Sequence, residues 1–214
     1  MAETEDDPAA NAADNVVGLY ERQAELWDRL RGRSLFERIW LDRFLALVPK
    51  GGSVLDLGCG SGEPIARYFI ECGHPVTGVD SSESLIAFCR RRFPDQEWLL
   101  ADMRQLDLGM RFDGLVAWDS FFHLPPAEQR PMFSRFAQHI RPGGVLMFTS
   151  GPHHGDALGA FGGETLYHGS LAPEEYKALL GENGFDVLRH TVEDPDCGGH
   201  TIWLAALRRV NCGD

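Results

Sequence analysis

Cations are scarce in this chain of 214 residues. Lys and Arg number 20 against 32 Asp and Glu, for a formal net charge of −12. An acidic chain is a poor electrostatic partner for nucleic acid or an anionic lipid surface, so neither a nucleic-acid nor a membrane partner is expected. Residues 1–14 hold five of the acids (Glu3, Glu5, Asp6, Asp7, Asp14) and no base, which leaves −7 (−12 less −5) for residues 15–214. Long apolar runs are also missing. None approaches the roughly 20 residues of a membrane span. The acidic amino terminus lacks the basic-then-apolar pattern of a secretory leader. The five cysteines, at 59, 72, 89, 197 and 212, are odd in number and form no C-x-x-C. That excludes a regular disulfide framework or structural zinc pattern and suits a reducing compartment, so a cytoplasmic location is expected.

The chain is organised around Val54-Leu55-Asp56-Leu57-Gly58-Cys59-Gly60-Ser61-Gly62. Three apolar residues around Asp56 read as a strand buried on both faces. The glycines then permit a turn in which a ligand can sit against the main chain. Such a turn at the carboxyl end of a strand is where open α/β sheets bind nucleotides. The spacing is G-x-G-x-G, so the G-x-G-x-x-G of a pyrophosphate binder is absent. Asp56 would repel a phosphate and suit a cation. Cys59 reads as a small filler in the turn.

Further strands end in polar or aromatic residues. Val76 to Asp80 ends in an acid able to accept two bonds from ribose hydroxyls. Trp98 to Met103 ends in Asp102, followed by a side chain that can lie on a purine. Phe112 to Trp118 is a fourth strand, and Arg141-Pro142-Gly143-Gly144 leads into a fifth over Val145 to Thr149. Helices alternate with them. Ser81 or Ser82 caps one, Pro94 stops it, and Pro125-Pro126 opens another near 126–140. Arg90-Arg91-Arg92 reads as a complement to a helix dipole.

The flanks are different in kind. Residues 1–14 offer little to bury and are expected to be a disordered acidic tail. Residues 15–214 are expected to form a single domain. It begins with two helices at 15–50, one from near Asn15 interrupted by Gly32 and one carrying Leu35 to Val48. Residues 151–169 contain six glycines and read as a long loop acting as a lid, with Phe161, Leu166 and Tyr167 to bury. A helix at about 173–183 and a hairpin of Phe185–Val192 with Thr201–Leu207 close the chain. His153, His154, His168, Asp194, Asp196, Cys197 and His200 match no closed metal-ligand spacing, so no metal is expected.

This ordered set of strand ends resembles the class I S-adenosylmethionine-dependent methyltransferases, closely over about residues 52–150 and loosely in the flanks. The resemblance implies an α/β, Rossmann-like fold: a seven-stranded, mostly parallel sheet with helices on both faces, the last strand antiparallel, and an N-terminal helical cap. It implies S-adenosylmethionine as cofactor, and methyl transfer to a small-molecule acceptor by in-line displacement. Carried over position by position, Asp56, Gly58 and Gly60 would line the amino-acid end of the donor. Asp80 would hold the ribose and Ser81 would sit beside the adenine, where Asp102 and the Met103 backbone would meet polar atoms of the ring. Trp118 would lie near the sulfonium, and Tyr20 and Trp27 would fold over the carboxylate end. Acceptors in this family bind after the fourth strand, where Asp119 or His123 could take a proton. A nucleotide-linked oxidoreductase and a non-catalytic donor-binding module remain as alternatives.

Overall fold

A computed structural model describes residues 7–209. The chain opens with α1 (Pro8–Arg22), α2 (Ala24–Arg31) and α3 (Arg38–Leu45), followed by β1 (Val54–Leu57), α4 (Ile65–Glu71), β2 (Val76–Asp80), α5 (Glu83–Arg92) and β3 (Glu97–Leu100). Then come β4 (Phe112–Ala117), α6 (Pro126–His139), β5 (Ile140–Ser150), β6 (Gly155–Phe161), β7 (Glu164–Ser170), α7 (Pro173–Glu182), β8 (Phe185–Asp194) and β9 (His200–Leu207).

Seven strands form one sheet in the order β3-β2-β1-β4-β5-β9-β8. Neighbours from β3 to β5 pair in parallel, and β9 is antiparallel to both β5 and β8. The final strand therefore inserts between the fifth strand and the sheet edge. The order reverses between β1 and β4, which opens a crevice at their carboxyl ends. Side chains of α3, α4 and α5, including Phe44, Phe69 and Ile86, pack one face of the sheet. Phe133 and Phe136 of α6 and Tyr176 of α7 pack the other. The expected α/β architecture is present.

Three expectations need correction. The acidic tail is helical from Pro8 onward, because the Asp7 carboxylate accepts from the Ala9 N–H at 2.9 Å and Pro8 suits the first helical turn. Ala12, Val16 and Leu19 are buried there against Leu166 and Tyr167, so this stretch has a partner to pack on. Residues 1–6 of that tail, and residues 210–214 with Cys212, lie outside the described residues. The leading helix breaks at Gln23 as well as at Gly32, giving three cap helices where two were expected.

The third correction concerns residues 151–169. They form the β6–β7 hairpin, turned through Gly162-Gly163, both at positive φ. Its glycines had suggested a loop, but β7 buries Leu166 and Tyr167 on α1, and that packing holds the strands in register. Among the described residues, no helix is long and apolar enough to cross a membrane, and the cysteines at 59, 72, 89 and 197 are free.

Candidate active site

The glycine turn after β1 is fixed from three sides. The Gly58 and Cys59 N–H groups donate to the Val79 carbonyl of β2 at 2.7 and 3.1 Å. The Ser120 hydroxyl, just past β4, donates to the Leu57 carbonyl at 2.6 Å. The Gly60 N–H donates to Asp80 Oδ2 at 2.9 Å. Gly58 has φ +72°, and a Cβ there would lie 2.2 Å from Ser120 Cβ; Gly60 has φ +54°, with Trp27 Nε1 3.0 Å from its would-be Cβ. Both positions require glycine for conformation and for room.

A cleft opens beside this turn, lined by Tyr20, Trp27, Gly58, Gly60, Asp80, Ser81, Asp102, Met103, Asp119, Ser120 and His123, among others. The topology brings together ten of the twelve residues expected at the site. Asp80 ends β2 with its other oxygen accepting from the Ser82 N–H at 2.9 Å. Burial pushes the Asp80 carboxyl above its ordinary range, against its backbone hydrogen bonds. Val79, Leu85, Ala101 and Met103 give the same end of the cleft an apolar wall. The Asp102 carboxylate is not free: it accepts from the Arg104 N–H at 2.8 Å and pairs with the Arg104 guanidinium at 2.7 Å. Burial would raise its pKa, but the Arg104 bonds outweigh burial and lower it.

Asp56 and Trp118, expected against the donor, do not line the cleft. Both are buried, with 3% and 4% of their surface exposed. Asp56 sits inside β1, paired on both sides, so its side chain is enclosed. Burial first, then the charge of Asp80, push its pKa up to about 7. Trp118 packs its ring 5.4 Å from His200.

The cap helices are tied to α5 by ion pairs and hydrogen bonds. Glu21 of α1 accepts from the Ser82 and Ser84 hydroxyls, each at 2.6 Å. Asp28 of α2 receives both Arg92 nitrogens at 2.6 Å. Arg92 is thus a clamp, beyond any contribution to the helix dipole. These ties place Tyr20 and Trp27 over the turn, with ring centroids 5.3 Å apart and planes at 88°. Phe161 of β6 completes the cluster, 6.2 Å from Tyr20 and 5.8 Å from Trp27.

His123 was one of two candidate bases, with Asp119. Its Nδ1 lies 2.8 Å from the Tyr167 carbonyl, which can only accept. Nδ1 therefore carries the proton, and Nε2 accepts from the Tyr20 hydroxyl at 2.9 Å. Burial lowers its pKa to about 4. The ring is a neutral strut between the cap, the hairpin and the segment after β4, with both nitrogens engaged.

Asp119 takes φ +48°, in the left-handed region. Its N–H donates to Thr149 Oγ1 at 2.9 Å, and its carboxylate lies 3.0 Å from His200 Nε2. Sequence reasoning weighed His200 only as a metal ligand, and no local signal could have placed it here. It reaches Asp119 because β9 pairs with β5, a contact 81 positions apart.

A family profile described as a methyltransferase domain matches residues 54–144. A malonyl-[acyl-carrier protein] O-methyltransferase of Pectobacterium atrosepticum is 33% identical over 213 residues, covering 94% of this chain and 71% of that protein. A dTDP-3-amino-3,4,6-trideoxy-alpha-D-glucopyranose N,N-dimethyltransferase of Streptomyces venezuelae is 33% identical over 102 residues, 47% of this chain and 43% of its own length. The match thus spans under half the length of that sugar-modifying relative. The structure of a Burkholderia thailandensis 1,6-didemethyltoxoflavin-N1-methyltransferase shares the fold, with TM-score 0.71 and 20% identity over 97% of this chain and 93% of that one. With the glycine turn, the strand-end acids and the reversal of strand order, these likenesses establish that the chain belongs to the class I S-adenosylmethionine-dependent methyltransferases.

Proposed function

We propose that the cleft binds S-adenosylmethionine and that the protein transfers its methyl group to a small-molecule acceptor. The residues present fit the donor. Gly58 and Gly60 present bare backbone to the cleft, and Asp80 retains lone pairs for two vicinal hydroxyls after accepting from Gly60 and Ser82. The apolar wall of Val79, Leu85, Ala101 and Met103 suits a purine face, with Ser81 and Asp102 at its polar edge. Tyr20 and Trp27 would cover the amino-acid end. Trp118 and Asp56 lie behind the lining.

The donor supplies a methyl group on a sulfonium, so the protein's main task is alignment of the nucleophile. Asp119, at the end of β4, is the side chain we assign to the acceptor. His123 holds Tyr20 in place, because its own nitrogens are occupied. The observation that carries the reading is the pairing of Asp80 with the Gly60 N–H across the turn. The named relatives act on an amino sugar and on a malonyl group held by a carrier protein, so they do not agree on an acceptor.

Calorimetric titration with S-adenosylmethionine, S-adenosylhomocysteine and NAD tests the donor assignment. The two adenosyl compounds should bind and NAD should not, and Asp80→Ala should abolish binding. Undiminished binding in that variant would count against the assignment.

A further inference from the structure

His200 lies outside every donor contact assigned above, yet both of its ring nitrogens are engaged. Its Nδ1 faces the Cys197 carbonyl at 2.8 Å, and its Nε2 faces the two Asp119 oxygens at 3.0 and 3.1 Å. Both ring nitrogens face oxygen atoms, which favours the doubly protonated ring. Burial acts to lower the pKa of this imidazole, but the bond and charge of Asp119, with Glu37 also facing it, raise it. The ring lies between Trp118 and Phe36, with centroids 5.4 and 5.5 Å away. Two aromatic faces and a carboxylate form a suitable seat for a cation.

Asp119 is thereby aimed. Its backbone adopts a conformation rare for a side-chain-bearing residue, tethered by Thr149, and its carboxylate is held from behind by His200. Its exposed edge lines the cleft beside Tyr20 and His123. Among the described residues, the only Arg or Lys lining that cleft is Arg104, and Asp102 and Glu128 occupy it at 2.7 and 3.0 Å. A carboxylic acid acceptor would find no unpaired cationic side chain among the described lining residues and would face Asp119 directly.

We propose that Asp119 receives an amine as the methyl acceptor and that His200, acting through Asp119, is a positioning residue for the transfer. The inference rests on the methyl-transfer reading above. The bound ammonium first releases one proton to solvent, and the lone pair so freed forms the new C–N bond as the C–S bond of the donor breaks, with the bonding pair returning to sulfur. Positive charge passes from sulfur to nitrogen, and Asp119 lies where that charge arrives. The product ammonium then gives a proton to solvent. Stabilising charge where it develops is the physical basis for assigning Asp119 this role.

The test uses the full-length protein saturated with S-adenosylhomocysteine and three shape-matched probes: benzylamine, benzyl alcohol and benzoate. Binding is followed by calorimetry and by the ring nitrogen resonances of His200. Benzylamine should bind at least about tenfold more tightly than either other probe and shift the His200 resonances. Both ring nitrogens should be protonated at neutral pH. His200→Leu should weaken benzylamine by about tenfold or more, and His200→Gln, which keeps a donor for Asp119, should restore most of it. S-adenosylhomocysteine affinity should be the same in all three proteins. Benzoate binding as well as benzylamine, no probe moving His200, or a leucine variant indistinguishable from wild type would each overturn the proposal. Equal loss of probe and S-adenosylhomocysteine affinity in His200→Leu would overturn it too, by assigning His200 a merely structural role. Failure of the wild-type protein to bind S-adenosylhomocysteine would instead refute the donor reading.

Discussion

Asp56 should make the folded protein lose stability as pH rises across the weakly acidic range. Its side chain is enclosed in β1, 3% exposed. Burial, with the repulsion of Asp80, moves its pKa from 3.8 to about 7, and Arg31 offsets part of that. Between those two values the folded chain keeps a proton that the unfolded chain has released. Stability therefore falls with rising pH throughout that window and levels off above it. Three pH units at about 1.4 kcal/mol each make the loss about 4 kcal/mol. His123 has the opposite sign. Its pKa is lowered from 6.5 to about 4 by burial, so on acidification the unfolded chain takes up the proton first. It adds about 3 kcal/mol of stability as pH rises over much the same window. In the wild-type protein the two slopes largely cancel.

The variants separate them. Asp56→Asn keeps the shape and removes the proton, so its stability relative to wild type should climb by about 4 kcal/mol from pH 4 to 7. His123→Asn should show the reverse, a relative decline of about 3 kcal/mol. Urea unfolding followed by tryptophan fluorescence, at half-unit steps of pH, reads both. Parallel stability curves for wild type and Asp56→Asn would refute the reasoning, since an enclosed carboxyl with an ordinary pKa would leave no difference in slope.

Other sites make separate tests. Gly58→Ala places a methyl group 2.2 Å from Ser120 Cβ at φ +72°, so it should cost about 2–4 kcal/mol and lower the melting temperature; a melting curve like that of wild type would contradict the close approach. Tyr20→Phe leaves His123 Nε2 buried without a donor and should cost about 1–3 kcal/mol in urea unfolding. Arg92→Ala removes both 2.6 Å bonds to Asp28, and amide hydrogen exchange over residues 24–31 should quicken while that of β1 stays slow. Equal acceleration in both segments would mean that Arg92 supports the whole domain and not the cap alone.

The wall of the cleft beside β1 and β2 was legible before any coordinates. A buried strand, a glycine bend and an acid at the tip of the next strand are local patterns, because the residues that make them lie within a few positions of one another. Asp80, Gly58, Gly60 and Met103 accordingly stand at the cleft. The misreadings arose where tertiary packing overrode local preference. Six glycines suggested a loop over 151–169, yet burial of Leu166 and Tyr167 on α1 holds that stretch as a hairpin. Acidic, alanine-rich residues suggested disorder, yet the same contact keeps residues 8–14 helical. Asp56 and Trp118 were expected against the donor, but burial, of Asp56 within β1 and of Trp118 just past β4, keeps them off the cleft surface.

Sequence by itself determined the parallel α/β sheet and the strand ends that line the cleft, since apolar periodicity and turn glycines act over short range. Only tertiary structure decided which histidine meets Asp119. His123 is four positions away along the chain, but its two nitrogens are taken by Tyr20 and Tyr167. His200 arrives from 81 positions away because β9 inserts antiparallel beside β5 and carries its first residue to the end of β4. That placement depends on strand pairing across the whole sheet, which no local run of residues encodes.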